Sequence, residues 1–478
     1  MSSPSFSAVT TTTPNSNTTH VLAFPFPAQG HMLPFLDFIH QLALKGLNIT
    51  IIVTPKNLPI INQLHSTHPN SIHTLVLPFP LHPKLPLGIE NVKDIGNFGI
   101  PPIIASLSKL EGEVIQWFQS HPSPPRAIIY DFFFGYTQLW AKTLNIPTIT
   151  FCTSGAFSTC FFQRLMTNMN EFRNLDAVQM QDIPRCPSFH KDQYPSLFEK
   201  YKEDDSDWQI IKECILTNPK SWCYVVNSFY DLEGEYIDQL KIDLGHDRVF
   251  SVGPLTSSLG VNKRVNPDSD VGYGVLKWLD KCPDESVLYV CFGSQKLLTQ
   301  PQIEALALGL ERSKTRFVWV VKVEGSQWVP QGFEERVSDQ GLVIKGWAPQ
   351  VEILNHEAIG GFVSHCGWNS ILESVLAGVM VLAWPMEADQ FQNAKLVVEY
   401  AGLAFRLCEG EHTVPDSNEL ARIIDKSMSI SENVPQKENV KVMRQKALEA
   451  RNVGGSSLTD LNELVKELSQ NVASNSNT

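Results

Sequence analysis

The 478-residue sequence lacks the features that define membrane-spanning proteins and nucleic-acid-binding proteins. No uninterrupted apolar run approaches the roughly 18 residues that a membrane span needs, so we expect no membrane insertion. Basic residues are outnumbered, with 38 Lys and Arg against 50 Asp and Glu and a formal net charge of −12. A chain of this charge offers no electrostatic surface for nucleic acid. Any phosphate must therefore be bound locally, by backbone dipoles and a few donors.

Cysteine spacing and the amino-terminal composition exclude further classes. The nine cysteines are scattered and none stands in C-x-x-C spacing, which indicates reduced thiols in a cytoplasmic protein and not a disulfide framework or a zinc knuckle. The first 19 residues are rich in Ser and Thr, but no Lys or Arg precedes Lys45, whereas transit peptides are rich in Arg. We interpret residues 1–19 as a disordered tail and predict a cytoplasmic location.

What the sequence does contain is an alternation of apolar runs with helical patterns. The runs predict strands at 20–26, 48–54, 74–79, 127–131, 147–151 and 224–229, and again at 286–294, 316–321, 341–347, 360–365, 379–384 and 403–407. Apolar strands separated by helices are typical of parallel sheets covered on both faces. Because the chain is too long for one ordinary core, we predict two doubly wound, Rossmann-like α/β domains that face each other across a cleft.

Composition also predicts the domain boundaries. The segment 257–274 is polar, rich in Gly, Ser and Asn and without periodicity, so it is the predicted linker. It separates an amino-terminal domain, residues 20–256, from a carboxy-terminal domain, residues 275–455. Residues 456–478 contain a last helical pattern followed by a polar tail.

One glycine-rich turn in the second half has the features of a phosphate site. The sequence over 360–374 predicts a strand, a tight turn and the start of a helix. A helix N-terminus after a parallel strand presents free N–H groups and the positive end of the helix dipole. His365, Asn369 and Ser370 would add donors, and Glu373 could accept hydrogen bonds from ribose hydroxyls. A capped structural helix with a core histidine explains the turn equally well.

The longer segment from Trp347 to Gln390 resembles the signature box of plant family 1 UDP-glycosyltransferases. Its opening W-A-P-Q, its middle H-C-G-W-N-S and its closing D-Q stand at the spacing of that family. The resemblance extends over nearly the whole chain, including "FPAQGHMLP" near the start, "CFGS" at 291–294 and "SFYDLE" at 228–233. One departure is Met380, where the family usually has proline; it precedes a predicted buried strand and should matter little to the chemistry.

The resemblance implies a fold, a reaction and a set of donor-binding residues. The fold is the GT-B arrangement of two Rossmann-like domains, with the helix over 456–470 crossing back onto the first domain, and the reaction is inverting transfer of a sugar from UDP with no cofactor and no metal. The residues implied to hold uracil, ribose and the two phosphates are Ser294, Trp347, Ala348, Gln350, His365, Asn369, Ser370 and Glu373. Those implied to contact the sugar are Trp368 through its backbone, Asp389 and Gln390.

The catalytic base is expected in the first domain. His31 begins a helix after the first predicted strand, and Asp131 ends another, so both belong to the edge where ligands bind in such sheets. A carboxylate fixes the tautomer of a histidine base and stabilises the imidazolium, and the family uses this pair at the positions of His31 and Asp131. Asp37 is a rival carboxylate, which we expect on a solvated helix face.

The acceptor side is predicted from aromatic density and from acid–base chemistry. A flat aromatic acceptor suits a pocket of phenylalanines, and the residues expected to line it are Phe132, Ser154 and Phe157. An imidazole base removes a phenolic proton, with a pKa of about 10, far more readily than that of an alkyl alcohol. Val379 and Met380 also resemble a clade acting on flavonoids and small phenolic acids.

The expected function is that of a monomeric, inverting UDP-glucose-dependent O-glucosyltransferase of plant specialised metabolism. Its acceptor would be a flavonoid such as a flavonol, or a small phenolic such as a hydroxybenzoic acid. The closing Gln390 supports glucose, because glutamine there is commonly associated with that donor in the family, whereas histidine goes with other sugars.

There are three alternatives to this predicted function. The same class could use UDP-rhamnose, UDP-xylose or UDP-galactose, and a non-catalytic nucleotide-sugar-binding regulator would not need the His31–Asp131 pair. A dinucleotide-dependent oxidoreductase is disfavoured because no G-x-G-x-x-G follows the first strand of either half. D-x-D strings at 205–207 and 268–270 lie in polar loops away from strand ends, so we expect no metal site there.

Overall fold

The computed structural model describes residues 18–255, 270–293, 296–322, 328–429 and 434–474. Residues 1–17 of the predicted tail over 1–19, most of the predicted linker and Ser294 lie outside these ranges. Among the described residues, no helix combines the length and the apolar character needed to cross a membrane.

The amino-terminal domain is built on a seven-stranded sheet whose strand pairs are all parallel. The strands of this half, in chain order, are β1 (His20–Phe24), β2 (Asn48–Val53), β3 (Ile72–Val76), β4 (Ile128–Asp131), β5 (Thr148–Cys152), β6 (Ala177–Val178), β7 (Phe189–His190), β8 (Cys223–Val226) and β9 (Val249–Ser251). The order across the sheet is β3-β2-β1-β4-β5-β8-β9, and β6 with β7 forms a separate antiparallel pair.

The carboxy-terminal domain has a second parallel sheet, of six strands. They are β10 (Val287–Cys291), β11 (Arg316–Val321), β12 (Gly341–Lys345), β13 (Ile359–Ser364), β14 (Met380–Ala383) and β15 (Ala404–Arg406). The order across this sheet is β12-β11-β10-β13-β14-β15. Three of these strands, β10, β13 and β14, are buried along their whole length, which is why each of them appears in the sequence as an apolar run.

Helices follow the strands and cover both sheets. In the first half they are α1 (Gln29–Leu44), α2 (Leu58–Thr67), α3 (Ile100–Leu107), α4 (Glu111–Ser120), α5 (Thr137–Leu144), α6 (Ala156–Thr167), α7 (Met169–Phe172), α8 (Ser196–Glu199), α9 (Ser206–Thr217) and α10 (Tyr230–Leu244). In the second half they are α11 (Asp270–Leu279), α12 (Gln300–Ser313), α13 (Phe333–Arg336), α14 (Gln350–Leu354), α15 (Trp368–Ala377), α16 (Gln390–Lys395), α17 (Ser417–Met428), α18 (Pro435–Arg451) and α19 (Ser456–Ser474). Helix α11 begins inside the segment that composition marks as the linker.

The last helix, α19, packs against the first domain. Leu461, Leu464 and Leu468 are buried in the same cluster as the apolar side chains of β1 and β2. The Asp460 carboxylate accepts hydrogen bonds from the backbone N–H of Ser251 at 2.7 Å and from its hydroxyl at 3.1 Å, which ties α19 to β9. Helix α19 therefore crosses from the carboxy-terminal domain back onto the amino-terminal one.

Candidate active site

Each sheet reverses its strand order at one point, and the site residues gather at these two points. In the first sheet β1 and β4 are neighbours, and in the second β10 and β13 are neighbours. The loops that leave such a pair of strands diverge to opposite faces and open a crevice at the carboxyl ends. His31 lies in the first turn of α1 after β1, Asp131 is the last residue of β4, and His365 follows β13 directly.

His31 and Asp131 form a hydrogen-bonded pair. Nδ1 of His31 lies 2.9 Å from Oδ2 of Asp131, which is fully buried, while the histidine side chain retains a 20% exposed fraction. The other carboxylate oxygen accepts the backbone N–H of Phe133 at 3.0 Å, so Asp131 is fixed by its own chain. Because the carboxylate engages Nδ1, Nε2 is the nitrogen left to accept a proton.

Three phenylalanine rings hold the imidazole in this orientation. Phe132 and Phe133 stack on His31 with centroid distances of 5.5 and 4.7 Å, and Phe26 meets it edge-on at 5.2 Å. Phe132 and Phe133 belong to the short 3-10 helix that Asp131 caps. Asp131 therefore orients the imidazole through its carboxylate and also positions two of the three rings that pack against it.

On the facing domain, the turn after β13 is shaped for an anion. Gly367 is the N-cap of α15 and supplies no side-chain cap, so the first N–H groups of the helix stay open. The His365 ring packs directly against the backbone of Gly293. A side chain there would not fit, because its Cβ would lie only 2.7 Å from the ring. Burial, and secondarily the positive charge of Lys296, lowers the pKa of His365 to about 4. His365 is therefore neutral near pH 7, with one N–H to donate.

Cys366, between these residues, is a structural element of the turn. Its backbone is left-handed, with a φ of 65°, and its N–H donates to the Ser364 hydroxyl at 3.1 Å. Burial raises the pKa of its thiol to about 12, so the sulfur stays protonated near pH 7 and is a poor nucleophile.

The ribose-binding residues predicted from sequence are in mutual contact. Nε2 of Gln350 donates to the Glu373 carboxylate at 2.6 Å and to the Ser370 hydroxyl at 3.3 Å. Burial raises the pKa of Glu373 to about 7, with a further contribution from the charge of Glu352. Gln350, Ser370 and Glu373 line a cavity of about 280 Å³ that also reaches His31.

Among the other predicted donor residues, Trp368 and Asn369 line the same cavity and also join the two domains, whereas Trp347 and Ala348 lie outside it. Trp347 is 41% exposed, and neither it nor the buried Ala348 lines that cavity. The amide of Asn369 donates across the domain boundary to the backbone O of Gly30 at 2.8 Å. The Trp368 indole N–H donates to the backbone O of Asn227 at 2.7 Å, so its side chain joins the two domains and only its backbone remains for a sugar.

Asp389 and Gln390 meet His31 at the centre of the cleft. Oε1 of Gln390 accepts two backbone N–H groups, those of Met386 and Glu387, at 3.0 Å each, which leaves Nε2 as its free donor. Burial raises the pKa of Asp389, and the neighbouring Ser154 side chain partly offsets that rise. Asp389 and Gln390 line the 280 Å³ cavity and a larger one described next.

The larger cavity, of about 630 Å³, lies mainly in the first domain. His31, Phe132 and Ser154 are in its wall, together with Phe98 and Phe162. Phe157, expected to line this wall, lies instead in the core. It is fully buried, and its ring is 4.8 Å from that of Tyr236. It differs from Phe162 because the two occupy different faces of α6.

The far end of this cavity is charged. Nζ of Lys84 donates to Asp205 at 2.7 and 2.8 Å and to Asp207 at 2.7 Å, and His82 lies 3.1 Å from Asp207. Both carboxylates of the first D-x-D string are thus held by side chains of the protein. In the described part of the chain, no three His, Cys, Asp or Glu side chains are grouped to hold a metal ion; the second string falls mostly outside that part.

Asp37 departs from the expectation that it is solvated. Its side chain is 6% exposed. It interacts electrostatically with Arg451, near the end of α18. Burial lowers the pKa of Arg451, and the charge of Asp37 acts in the opposite direction. The helix face that carries Asp37 is covered by the returning carboxy-terminal segment, which helical periodicity in α1 alone does not reveal.

Comparison with known proteins identifies the family. The model of the family "UDP-glucoronosyl and UDP-glucosyl transferase" matches residues 263–445. UDP-glycosyltransferase 89A2 of Arabidopsis thaliana is 47% identical over 95% of this chain and 96% of that protein. Flavonol 3-O-glucosyltransferase UGT89B1 of the same plant is 46% identical over 94% of this chain and 96% of that protein.

Solved structures agree in fold. Crystal structures of Arabidopsis thaliana UGT89C1, in complex with UDP-L-rhamnose and with quercetin, superpose with a TM-score of 0.77 at 37% identity. They match 95% of this chain and 99% and 100% of those chains. The chain belongs to the plant family 1 UDP-glycosyltransferases, with their GT-B fold of two Rossmann-like domains, and it is an enzyme of that class.

Proposed function

We propose that this enzyme transfers glucose from UDP-glucose to a phenolic hydroxyl of a flavonoid, with inversion at the anomeric carbon, as a monomer and without a metal ion. The observation that carries the proposal is the position of the base. His31, oriented by Asp131 at 2.9 Å, lies in the wall of both cavities: the 280 Å³ cavity, which we assign to the sugar donor, and the 630 Å³ cavity, which we assign to the acceptor. A base at this junction can reach a hydroxyl that lies next to a bound sugar.

The mechanism follows from the donors around the cleft. Nε2 of His31 accepts the acceptor proton while the acceptor oxygen attacks the anomeric carbon from the face opposite UDP, and Asp131 stabilises the imidazolium that forms. The bond from the anomeric carbon to the diphosphate breaks, and the electron pair leaves with UDP. The open N–H groups of α15 and the N–H of neutral His365 stabilise the growing charge.

Glucose as donor is supported by Gln390 and by the name of one relative. Gln390 keeps one amide donor free at the cleft, and UGT89B1, 46% identical, is named a glucosyltransferase. The competing donor is UDP-rhamnose, because UGT89C1 has been crystallised with UDP-L-rhamnose.

The donor proposal is tested with a panel of UDP-glucose, UDP-rhamnose, UDP-xylose and UDP-galactose against one flavonol. We expect the highest kcat/KM for UDP-glucose. Turnover with another sugar and none with glucose would refute the donor assignment while leaving the enzyme class intact. The variant Gln390→His is the matched probe, and we expect it to lower the preference for glucose.

A flavonoid acceptor is supported by the cavity and by two relatives. A volume of about 630 Å³ lies within the range of roughly 300–1,000 Å³ of small-molecule sites, and the wall carries Phe98, Phe132 and Phe162. UGT89B1 is named for a flavonol, and UGT89C1 has been crystallised with quercetin. A simple phenolic acid would fill less of this cavity, so we expect a lower KM for a flavonol than for a hydroxybenzoic acid.

A non-catalytic regulator, the alternative from another class, is not supported, because the chain belongs to a family of enzymes. It would need the phosphate turn but not an oriented base, and the His31–Asp131 geometry favours the enzyme. Release of UDP that depends on the acceptor distinguishes the two, since a regulator would bind UDP-glucose without turning it over.

A further inference from the structure

The motif "SFYDLE", over 228–233, lines neither of the two cavities, yet it holds a buried carboxylate close to the site. Glu233 in α10 is 1% exposed. Its Oε2 accepts the backbone N–H of Ala156 at 2.9 Å and the Ser228 hydroxyl at 2.6 Å, and its Oε1 accepts the N–H of Phe157 at 2.9 Å. Glu233 therefore caps the N-terminus of α6 from another element, which complements the positive end of that helix.

The approach of this carboxylate to α6 depends on Gly155. A Cβ at that position would lie 2.7 and 2.8 Å from the two carboxylate oxygens of Glu233 and 2.9 Å from Cζ2 of Trp368. Gly155 is also the N-cap of α6 and has no side chain with which to cap it. The cap must come from outside α6, and Glu233 supplies it.

The loop that Glu233 fixes, 153–155, touches three parts of the active site. The Thr153 hydroxyl lies 3.3 Å from Nδ1 of His31. The Ser154 side chain lies beside the Asp389 carboxylate of the facing domain, where it partly offsets the rise that burial causes in the pKa of Asp389, and both residues line both cavities. Gly155 packs against Trp368, whose indole donates to the backbone O of Asn227 at 2.7 Å.

We propose that Glu233 is a positioning residue. Through its cap on α6 it holds the 153–155 loop where that loop joins the catalytic histidine to the sugar-binding Asp389. The inference rests on the proposed function, because it concerns the rate of sugar transfer. Misplacement of reacting groups by about 1 Å can cost roughly a hundredfold in rate, whereas the uridine and ribose contacts near Gln350 and Glu373 lie outside this loop. Loss of the cap should therefore lower kcat much more than it weakens donor binding.

The test compares Glu233→Gln with wild type. Gln has nearly the same shape but replaces one acceptor oxygen with an NH₂ group, which cannot accept the N–H of Ala156 or Phe157. We expect kcat for a flavonol to fall about ten- to a hundredfold, with KM for UDP-glucose within about twofold of wild type. We also expect a larger fraction of UDP release that is not matched by glucoside, because water then competes with a displaced acceptor.

A second variant keeps the test decisive if Glu233→Gln does not fold. Ser228→Ala removes one of the three hydrogen bonds to the carboxylate and should lower kcat in the same direction by less. Glu235→Gln is the matched control, two residues further along α10, in a partly exposed ion pair with Arg185; we expect wild-type kinetics.

The outcomes separate this inference from the proposed function. If wild type transfers no sugar to any phenol, the proposed function fails. If wild type is active and folded Glu233→Gln or Ser228→Ala has unchanged kcat and coupling, or loses kcat and donor affinity equally, Glu233 is only a structural cap and the inference is wrong.

Discussion

His31 is constrained on all sides but one. Asp131 holds Nδ1, two phenylalanine rings stack on the imidazole and a third meets its edge, and the remaining direction opens to the cleft. The side chains around a base held in this way need to move little when the base accepts a proton. In the proposed mechanism the activity depends on a pair of side chains that lie 100 residues apart in the sequence.

Replacing either member of the pair tests this dependence. General-base catalysis contributes about 10²–10⁴-fold, so we expect His31→Ala to lower kcat by that factor. Asp131→Asn should also lower kcat strongly, because an amide in place of the carboxylate cannot stabilise the imidazolium. The measurement is UDP release with a flavonol at saturating UDP-glucose. His412→Ala, at an 86% exposed side chain, is the control, and full activity of His31→Ala would contradict the assignment.

Glu373 predicts a pH dependence of donor binding. Burial raises its pKa from 4.5 to about 7, so below pH 7 the free protein carries mainly the protonated acid, a poorer acceptor for ribose hydroxyls. The affinity for UDP-glucose should fall as the pH drops from 8 to 6, measured by calorimetry. Both phosphates of this ligand are diesters, so its own charge does not change in this range. Glu373→Gln should remove the dependence, and a wild-type affinity that is flat with pH would refute this prediction.

The same shift predicts the opposite trend for stability. The folded state binds a proton at Glu373 that the unfolded state has already released between pH 4.5 and about 7. The contribution of this group to the free energy of unfolding therefore falls as the pH rises through that window. Glu373→Gln should lessen the fall when unfolding of the ligand-free protein is measured across that range.

At the scale of helices and strands, the sequence predicts the parallel sheets well and the short elements poorly. Parallel strands are buried on both faces, so each of the longer ones appears as an apolar run. The three-residue β9 and the two-residue β6 and β7 are missing from the prediction. Runs this short carry no periodicity, and their strand geometry comes from pairing with a neighbour.

The site residues likewise divide into those whose placement the sequence predicts and those whose placement it does not. The contact of His31 with Asp131 and the strand–turn–helix order over 360–374 could be anticipated, because each follows a recognisable strand or belongs to a recognisable motif; the catalytic and phosphate-binding roles of these residues stay predictions. The burial of Asp37 and Phe157 and the cap formed by Glu233 could not be anticipated, because they depend on partners far away in the sequence. The Glu233 contact with Ala156 spans 77 residues. The "SFYDLE" motif marked the region, but its letters alone do not show which helix the carboxylate caps.

The returning helix α19 makes a stability prediction. Leu464 is fully buried against the first sheet, so Leu464→Ala leaves a cavity and should lower the free energy of unfolding by about 2–5 kcal/mol. Denaturant unfolding followed by tryptophan fluorescence measures the change. Leu448→Ala on α18, at a side chain that is 37% exposed, is the control and should cost much less. Equal effects of the two variants would show that α19 contributes no packing to the first domain.

At the scale of the whole molecule, side-chain hydrogen bonds join the two domains beside the proposed active site. Trp368 donates to Asn227, Asn369 to Gly30, and Ser158 to Asn393, each across the domain boundary. These contacts hold the phosphate turn of one domain opposite the base of the other. The reaction geometry is thus a property of the assembled cleft, and neither domain contains it alone.

The most direct test of this geometry is the configuration of the product. In the proposed mechanism the acceptor hydroxyl lies at His31 and the diphosphate at the start of α15, on opposite sides of the sugar, which requires displacement with inversion. Proton NMR of the product formed from UDP-α-D-glucose and a flavonol should show a single β-glucoside on one phenolic oxygen. An α-glucoside would mean that attack does not come from the His31 side, and it would contradict the central claim.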